Sequence, residues 1–289
     1  MTWRDRSGGC VPGDAGQDRL LEWMYGTAFG RLLVKIMIRP GVSRAAGWLL
    51  DRRISALAVK PFIRANHICM DDFEQRKFRS FNDFFTRRVL PGRRPVDTEP
   101  THLIAPCDSK LSVYEILPDS RFRVKGTQYT LEGLLQSKSL AEQFLGGTLL
   151  LFRLTVGDYH RYSYIDSGSI GESTRIPGVF HTVNPAAASR CPIYRENTRE
   201  YSLLESERFG TVLQMEVGAA MVGRIVNNPG SRQVRRGEEK GRFEFGGSTV
   251  IVLLQKGRAI PDADLVRNTA EDAETVVHLG ERIGIAVLP

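Results

Sequence analysis

The stretch RFEFGGSTVIVLL, residues 242–254, decides how this chain is read. It starts and ends as a strand, aromatic first and then β-branched, yet Gly246, Gly247, Ser248 and Thr249 interrupt it. Glycine inside a strand weakens order and packs nothing, so the interruption needs a reason. A β-bulge is one. A nucleophile elbow is another, but it requires G-x-S-x-G between a strand and a helix. Here Val250 stands where the second glycine belongs, and a further strand-like run follows. A third reason is a serine that attacks its own backbone. The Ser248 hydroxyl would take the preceding carbonyl carbon and shift the acyl group from nitrogen to oxygen. That step needs a distorted peptide, which Gly247 permits, a base for the hydroxyl, and donors for the developing oxyanion.

Outward from this stretch, the chain after about residue 100 carries short runs rich in β-branched and aromatic residues, among them KLSVYEI, TLLLFRL and TVLQMEVGAAMVGRIV. Turn residues separate them. The fold class expected is α+β: N-terminal membrane-surface helices, then a mostly antiparallel β barrel or sandwich. A short helix is expected at 131–144. Residues 1–18, polar and glycine-rich, read as a loose tail. Residues 19–97 read as a helical, basic, membrane-associating region and 98–289 as the catalytic domain, with a turn-rich break at PGRRPVD, 91–97.

Within the helical region, residues 20–39 set Arg31, Lys35 and Arg39 in one stripe beside Leu32, Leu33, Ile36 and Met37. That pattern suits a helix lying on a bilayer and equally a helix packed on its own domain. Further helices are expected at 43–58, capped by Ser43, and through 71–89.

Length and composition agree with a globular protein: 289 residues, 42% hydrophobic. The net charge of +7 is unevenly placed. Residues 1–100 hold 18 Lys and Arg against 11 Asp and Glu, whereas residues 101–289 hold 22 of each. A basic N-terminal third can address nucleic acid or an anionic membrane. The aromatic-rich remainder is neutral and lacks a recognition motif, so nucleic acid is not an expected partner. Four cysteines, Cys10, Cys69, Cys107 and Cys191, lie far apart and read as free thiols. Nothing has zinc-site spacing, and no metal is expected. No secretory signal and no apolar run long enough to span a bilayer is visible.

Ordered along the chain are FNDFFTRRVLPGRRPV (81–96), APCDSK (105–110), LLFRLTVGDYHRYSYIDSG (150–168), IPGVFHTVNPAA (176–187), ENTREYSLLESERFGTVLQMEVGAAMVGRI (196–225) and RRGEEKGRFEFGGSTVIVLL (235–254). This set resembles the phosphatidylserine decarboxylase family, the pyruvoyl-dependent enzymes of prokaryotic type. The likeness covers nearly all of the chain after residue 20. It implies cleavage between Gly247 and Ser248 into a β chain, 1–247, and an α chain, 248–289, that stay together. Ser248 would become a covalent pyruvoyl cofactor. The amine of phosphatidylserine would form a Schiff base with it, lose CO2 into that electron sink, and leave as phosphatidylethanolamine. The enzyme would work peripherally on the cytoplasmic face of the cell membrane, docked on an anionic surface, with a homodimer as a further expectation.

The resemblance also implies roles. His160 in DYHR matches the family histidine of substrate handling and decarboxylation, against the plainer reading of a hydrogen-bonded strand histidine. Asp108 matches the aspartate of the self-cleavage group, against a turn aspartate after Pro106. The chain departs from the pattern at Ser163, where many members carry the histidine that serves as cleavage base, and at Ser109, where glycine is usual. His181 is the preferred replacement base and His160 the fallback. Asn184, Glu196 and Asn197 lie in family-like stretches that would shape the headgroup pocket. Glu238 and Glu239 read as solvated turn residues. Arg87, Arg93 and Arg94 read as a solvated face or, less strongly, as lipid-phosphate contacts. His67, His102 and His278 match no motif. Two other functions stay open at this point: a pyruvoyl decarboxylase of a soluble amino acid, and an unprocessed, inactive lipid-binding relative.

Overall fold

A computed structural model describes residues 2–11, 47–124, 127–178, 197–218, 224–228, 232–244 and 248–287. In chain order the first elements are β1 (Thr2–Arg4), β2 (Cys10–Val11), a 3-10 segment (Arg53–Ala58), α1 (Val59–Ala65) and α2 (Phe81–Phe85). There follow β3 (His102–Ile104), β4 (Ser109–Glu115), β5 (Phe122–Val124), β6 (Thr127–Tyr129), α3 (Leu131–Leu135), α4 (Lys138–Glu142), β7 (Thr148–Leu154), β8 (Arg161–Ser163), β9 (Gly168–Ile170) and β10 (Thr174–Ile176). The last part holds β11 (Arg199–Ser206), β12 (Gly210–Val217), β13 (Ile225–Asn227), β14 (Gln233–Val234), β15 (Glu239–Phe243), β16 (Ser248–Leu254), β17 (Ala259–Pro261), α5 (Ala263–Ala270), β18 (Ala273–Val277) and β19 (Arg282–Ala286).

Eleven strands form one sheet in the order β14-β9-β11-β12-β16-β7-β4-β18-β1-β2, with β10 beside β11. Its pairings are antiparallel apart from β1 with β18. The central run β12-β16-β7-β4 is apolar on both faces, because both are covered. One face carries Leu111, Phe152, Val250, Val252 and Val212 and packs on Tyr162 of β8, Phe243 of β15, Ile104 of β3 and Ile283 of β19. Those strands belong to two three-stranded sheets, β13-β15-β8 and β17-β19-β3. The other face carries Leu149, Leu151, Leu213, Met215, Ile251 and Leu253 and packs on α3, α4 and Phe144. The architecture is mixed α+β and mostly sheet. Of the barrel and sandwich alternatives, a closed barrel does not form among the described strands.

The helical expectations need correction. The stretch 43–58 is not one helix: residues 47–50 make a helical turn, and the 3-10 segment and α1 follow. Ser55 Oγ donates to the carbonyls of Leu50 and Arg52, so a side chain competes with the helical backbone there. The stretch 71–89 keeps only the five residues of α2, capped by Ser80, whose side chain accepts from the Asp83 amide. Phe73 and Val89 instead pair as an antiparallel bridge. Residues 2–11, read as part of a loose tail, extend the large sheet as β1 and β2. Arg6 fixes them, its guanidinium meeting Asp262 at 2.8 Å and Asp264 at 2.5 Å. The helix read at 20–39 lies outside the described residues.

Candidate active site

Antiparallel register gathers the site along the edge formed by one set of strand ends at the centre of the large sheet. Thr249, Arg153 and Lys110 form one cross-strand row over β16, β7 and β4. With strands about 4.8 Å apart, Thr249 and Lys110 lie about 10 Å apart across it. Ser248 lies one residue beyond that row, paired with Leu154, and Asp108 lies two residues beyond it on the chain entering β4. On the next strand, Val277 pairs with Ser109, which puts His278 at the same edge. Ser248 is buried, and it shares the face of Val250 that looks toward β8 and β15.

Asp108 is buried and heavily bonded. The Arg94 fork donates from Nε to both carboxylate oxygens at 2.9 Å and from Nη2 at 2.7 Å. The Leu279 amide donates at 2.9 Å, and His278 Nδ1 lies 3.8 Å away. Burial works to raise the Asp108 pKa, but His278 and Arg94 outweigh it and hold it down to about 2. In return the carboxylate raises the His278 pKa against the opposing effect of burial. A cleft of about 260 Å³, lined by Arg93, Arg94, Pro95, His278, Leu279 and Glu281, opens beside this group.

His160 is buried and lies against the Phe85 ring, with centroids 3.8 Å apart. Its carbonyl accepts from the Phe243 amide. The loop leading to it is pinned twice. Asp158 takes Lys110 Nζ at 2.7 Å and the Thr155 amide at 2.6 Å. Arg87, fully buried between the Phe73 and Phe84 rings, donates to the carbonyls of Gly157 and Asp158. Ser163, at the position of the missing histidine, is buried against the segment before Asp108: its amide and hydroxyl both reach the Pro106 carbonyl.

Several residues differ from their sequence reading. Arg87 and Arg94 are not a solvated face; one braces the His160 loop and the other clamps Asp108, while Arg93 is exposed. Glu239 pairs with Arg161 at 2.7 Å instead of standing free in a turn. Asn197 is buried, with its amide donating to the Tyr129 hydroxyl. His278, which matched no motif, lies beside Asp108. Its partner is 170 positions away in the chain, and only the β4–β18 register brings them together. His181, Asn184, Glu196, Gly246 and Gly247 lie outside the described residues.

The sequence reading also missed a charged pair inside the protein. Lys240 Nζ of β15 meets Glu216 Oε2 of β12 at 2.6 Å, and both side chains are buried. Asn227 Nδ2 donates to the same carboxylate at 3.3 Å. The only available signal was a charge placed in otherwise apolar strand runs.

A buried serine opens β16, a clamped aspartate leads into β4 two strands away at the same end of the sheet, and a buried histidine packs on Phe85. Compared with known families, residues 81–285 match the model described as phosphatidylserine decarboxylase. The chain is 41% identical over 265 residues to phosphatidylserine decarboxylase proenzyme 2 of Clostridium acetobutylicum, covering 91% of each chain. It is 40% identical to the phosphatidylserine decarboxylase proenzyme of Clostridium novyi, with 92% of each covered. The Desulfitobacterium hafniense proenzyme is 39% identical, over 93% of this chain and 92% of its own. The chain belongs to the phosphatidylserine decarboxylase family.

Proposed function

We infer that this chain is a proenzyme that cuts itself between Gly247 and Ser248 and then works as a carboxy-lyase, turning phosphatidylserine into phosphatidylethanolamine and CO2. The observation that carries this reading is the placement of the two segments around Ser248. β15 is held in the small sheet with β8 and β13, and β16 is held in the large sheet between β7 and β12. A break between them leaves each end anchored, so Ser248 fits conversion to a pyruvoyl group without loss of either chain. When formed, that group would supply a ketone able to condense with the substrate amine and so draw off the electron pair left behind as CO2 departs.

The chain's own residues do the remaining work. Asp108, kept ionised by His278 and Arg94, charge-stabilises an imidazole during self-cleavage, and the imidazole beside it among the described residues is His278. The base for the Ser248 hydroxyl is His181, with His160 as the alternative. After cleavage His160, set by Phe85 and the pinned loop, delivers the proton to the former α-carbon. Arg93, Arg94 and His278 line the cleft beside Asp108, where Arg93 and His278 can meet the anionic headgroup.

Docking on an anionic bilayer is supported by the surface around α1. Trp48, Leu49, Ile54 and Leu57 are 59, 50, 66 and 79% exposed. Arg52, Arg53, Lys60 and Arg64 are interleaved with them. Basic residues at an anionic surface contribute about 1 kcal/mol each. Among the described residues no helix is long and apolar enough to cross a membrane.

The reading is tested by adding borohydride during turnover with labelled phosphatidylserine. Label fixed to the 248–289 piece is the expected result. CO2 release with no label on either piece would contradict it. The base assignment is tested apart: His181→Ala should run uncut on a denaturing gel, and normal cutting would move the role elsewhere.

A further inference from the structure

Self-processing requires two deprotonations at Ser248, first of its hydroxyl and later of its Cα. The second turns the internal ester into dehydroalanine, and no residue so far named performs it. Glu216 lies opposite Val250 in the β12–β16 register, so it shares a face with Ser248, two residues earlier on β16. Such diagonal neighbours are about 7–8 Å apart at Cα, within reach of a long side chain. Glu216 is fully buried. Its Oε2 is held by Lys240 and Asn227, whereas its Oε1 has no hydrogen-bond partner among the described residues. Burial raises its pKa against the opposing charge of Lys240, which makes it a stronger base than an exposed carboxylate. A buried ion pair with one oxygen unsatisfied is a poor way to stabilise a fold, since well-packed apolar residues serve at least as well. At this position it puts a fixed, water-excluded base beside the residue being converted.

We propose that Glu216, steered by Lys240, is the base that removes the Ser248 Cα proton in the elimination step of self-processing. The assignment rests on the reading of the chain as a self-cleaving proenzyme. In that step the Cα–H bond breaks and its proton goes to Glu216 Oε1. The electron pair forms the Cα–Cβ double bond. The Cβ–Oγ bond breaks, and its pair leaves with the Gly247 carboxylate, the new end of the β chain. Dehydroalanine, carrying a free amine, tautomerises to an imine. Water adds and ammonia leaves, giving the pyruvoyl group with no oxidant or reductant.

The test is intact mass and denaturing gels on full-length Glu216→Gln, with and without hydroxylamine, beside the unaltered protein. An ester-linked intermediate has the mass of the uncut chain, and hydroxylamine drains it by cleaving at Gly247. The expected result for the variant is loss of pyruvoyl formation, with hydroxylamine releasing an α piece that begins with unmodified serine, heavier than the pyruvoyl form by one ammonia. Pyruvoyl formation at the unaltered rate would overturn the assignment, as would a folded, uncut chain that hydroxylamine does not split. The double variant Glu216→Leu with Lys240→Met removes both charges together and is read by the same criteria if the single variant fails to fold. If the unaltered protein itself stays uncut and resists hydroxylamine, the self-cleavage reading fails, which is a different result from failure at Glu216.

Discussion

At the scale of single residues, the Asp108 carboxylate gives a prediction with a fixed sign. Its folded pKa of about 2 lies below its ordinary value of 3.8. The stability it contributes is therefore present above about pH 4 and is lost as pH falls through about 2. The size is about 2 kcal/mol. Urea unfolding of Asp108→Asn should lack this acid-sensitive portion between pH 4 and pH 2, and an unchanged pH dependence would show that the Arg94 clamp is not stabilising. His278 runs the other way: its raised pKa favours the folded state at low pH, and that contribution is lost as pH rises through the folded value. His278 is 58% exposed, so solvent screening keeps the effect small. Ser248 and Asp108 were legible in sequence because each sits in a local motif. His278, Arg94, Glu216 and Lys240 were not, because their significance lies in partners contributed by other strands. A charge in an apolar run looks the same whether it points to water or to a buried counter-charge.

At the scale of elements, α2 is a five-residue helix that matters through one ring. Phe85 supplies the surface against which His160 rests, and Ser80 holds the first turn. Phe85→Leu keeps an apolar side chain there but leaves part of the ring's space empty, and should cost about 1–2 kcal/mol of stability. With the ring contact gone, kcat of the processed enzyme should fall about tenfold or more, while cutting on a denaturing gel continues. Full kcat would remove Phe85 from the positioning of His160. A second prediction belongs to the segment around α1. Ile54→Glu with Leu57→Glu should weaken flotation with anionic liposomes about tenfold or more, because each side chain forfeits apolar burial in the bilayer. Equal flotation would place membrane contact elsewhere in the chain. Strands were easier to read here than helices. Alternating and continuous apolar runs marked β4, β7, β12 and β16, whereas apolar periodicity at 43–58 and 71–89 suggested helices longer than those formed. The local competitors, Ser55 bonding back to carbonyls and Val89 pairing with Phe73, are decided by side-chain and tertiary contacts that periodicity does not report.

At the scale of the whole molecule, the two layers explain how a chain can be broken and remain one protein. The segment ahead of the proposed break ends in a small sheet, and the segment after it begins at the centre of the large one. Between them lies the core shared by Phe152, Val250, Tyr162 and Phe243. The cut pieces should therefore elute together in native size exclusion and separate only in denaturant. Separation under native conditions would mean that the interlayer core does not hold them. The sequence indicated a sheet-rich catalytic part, but the layering depends on which strands neighbour which. β16 lies between β12 and β7, and β1 pairs with β18 across almost the full length of the chain. Such contacts leave no local trace. The most direct test of the account is the intact mass of purified protein under denaturing conditions. It predicts two pieces that meet between Gly247 and Ser248, the smaller one carrying a pyruvoyl group in place of its first serine. A single chain with unmodified Ser248 that still releases CO2 from phosphatidylserine would contradict it.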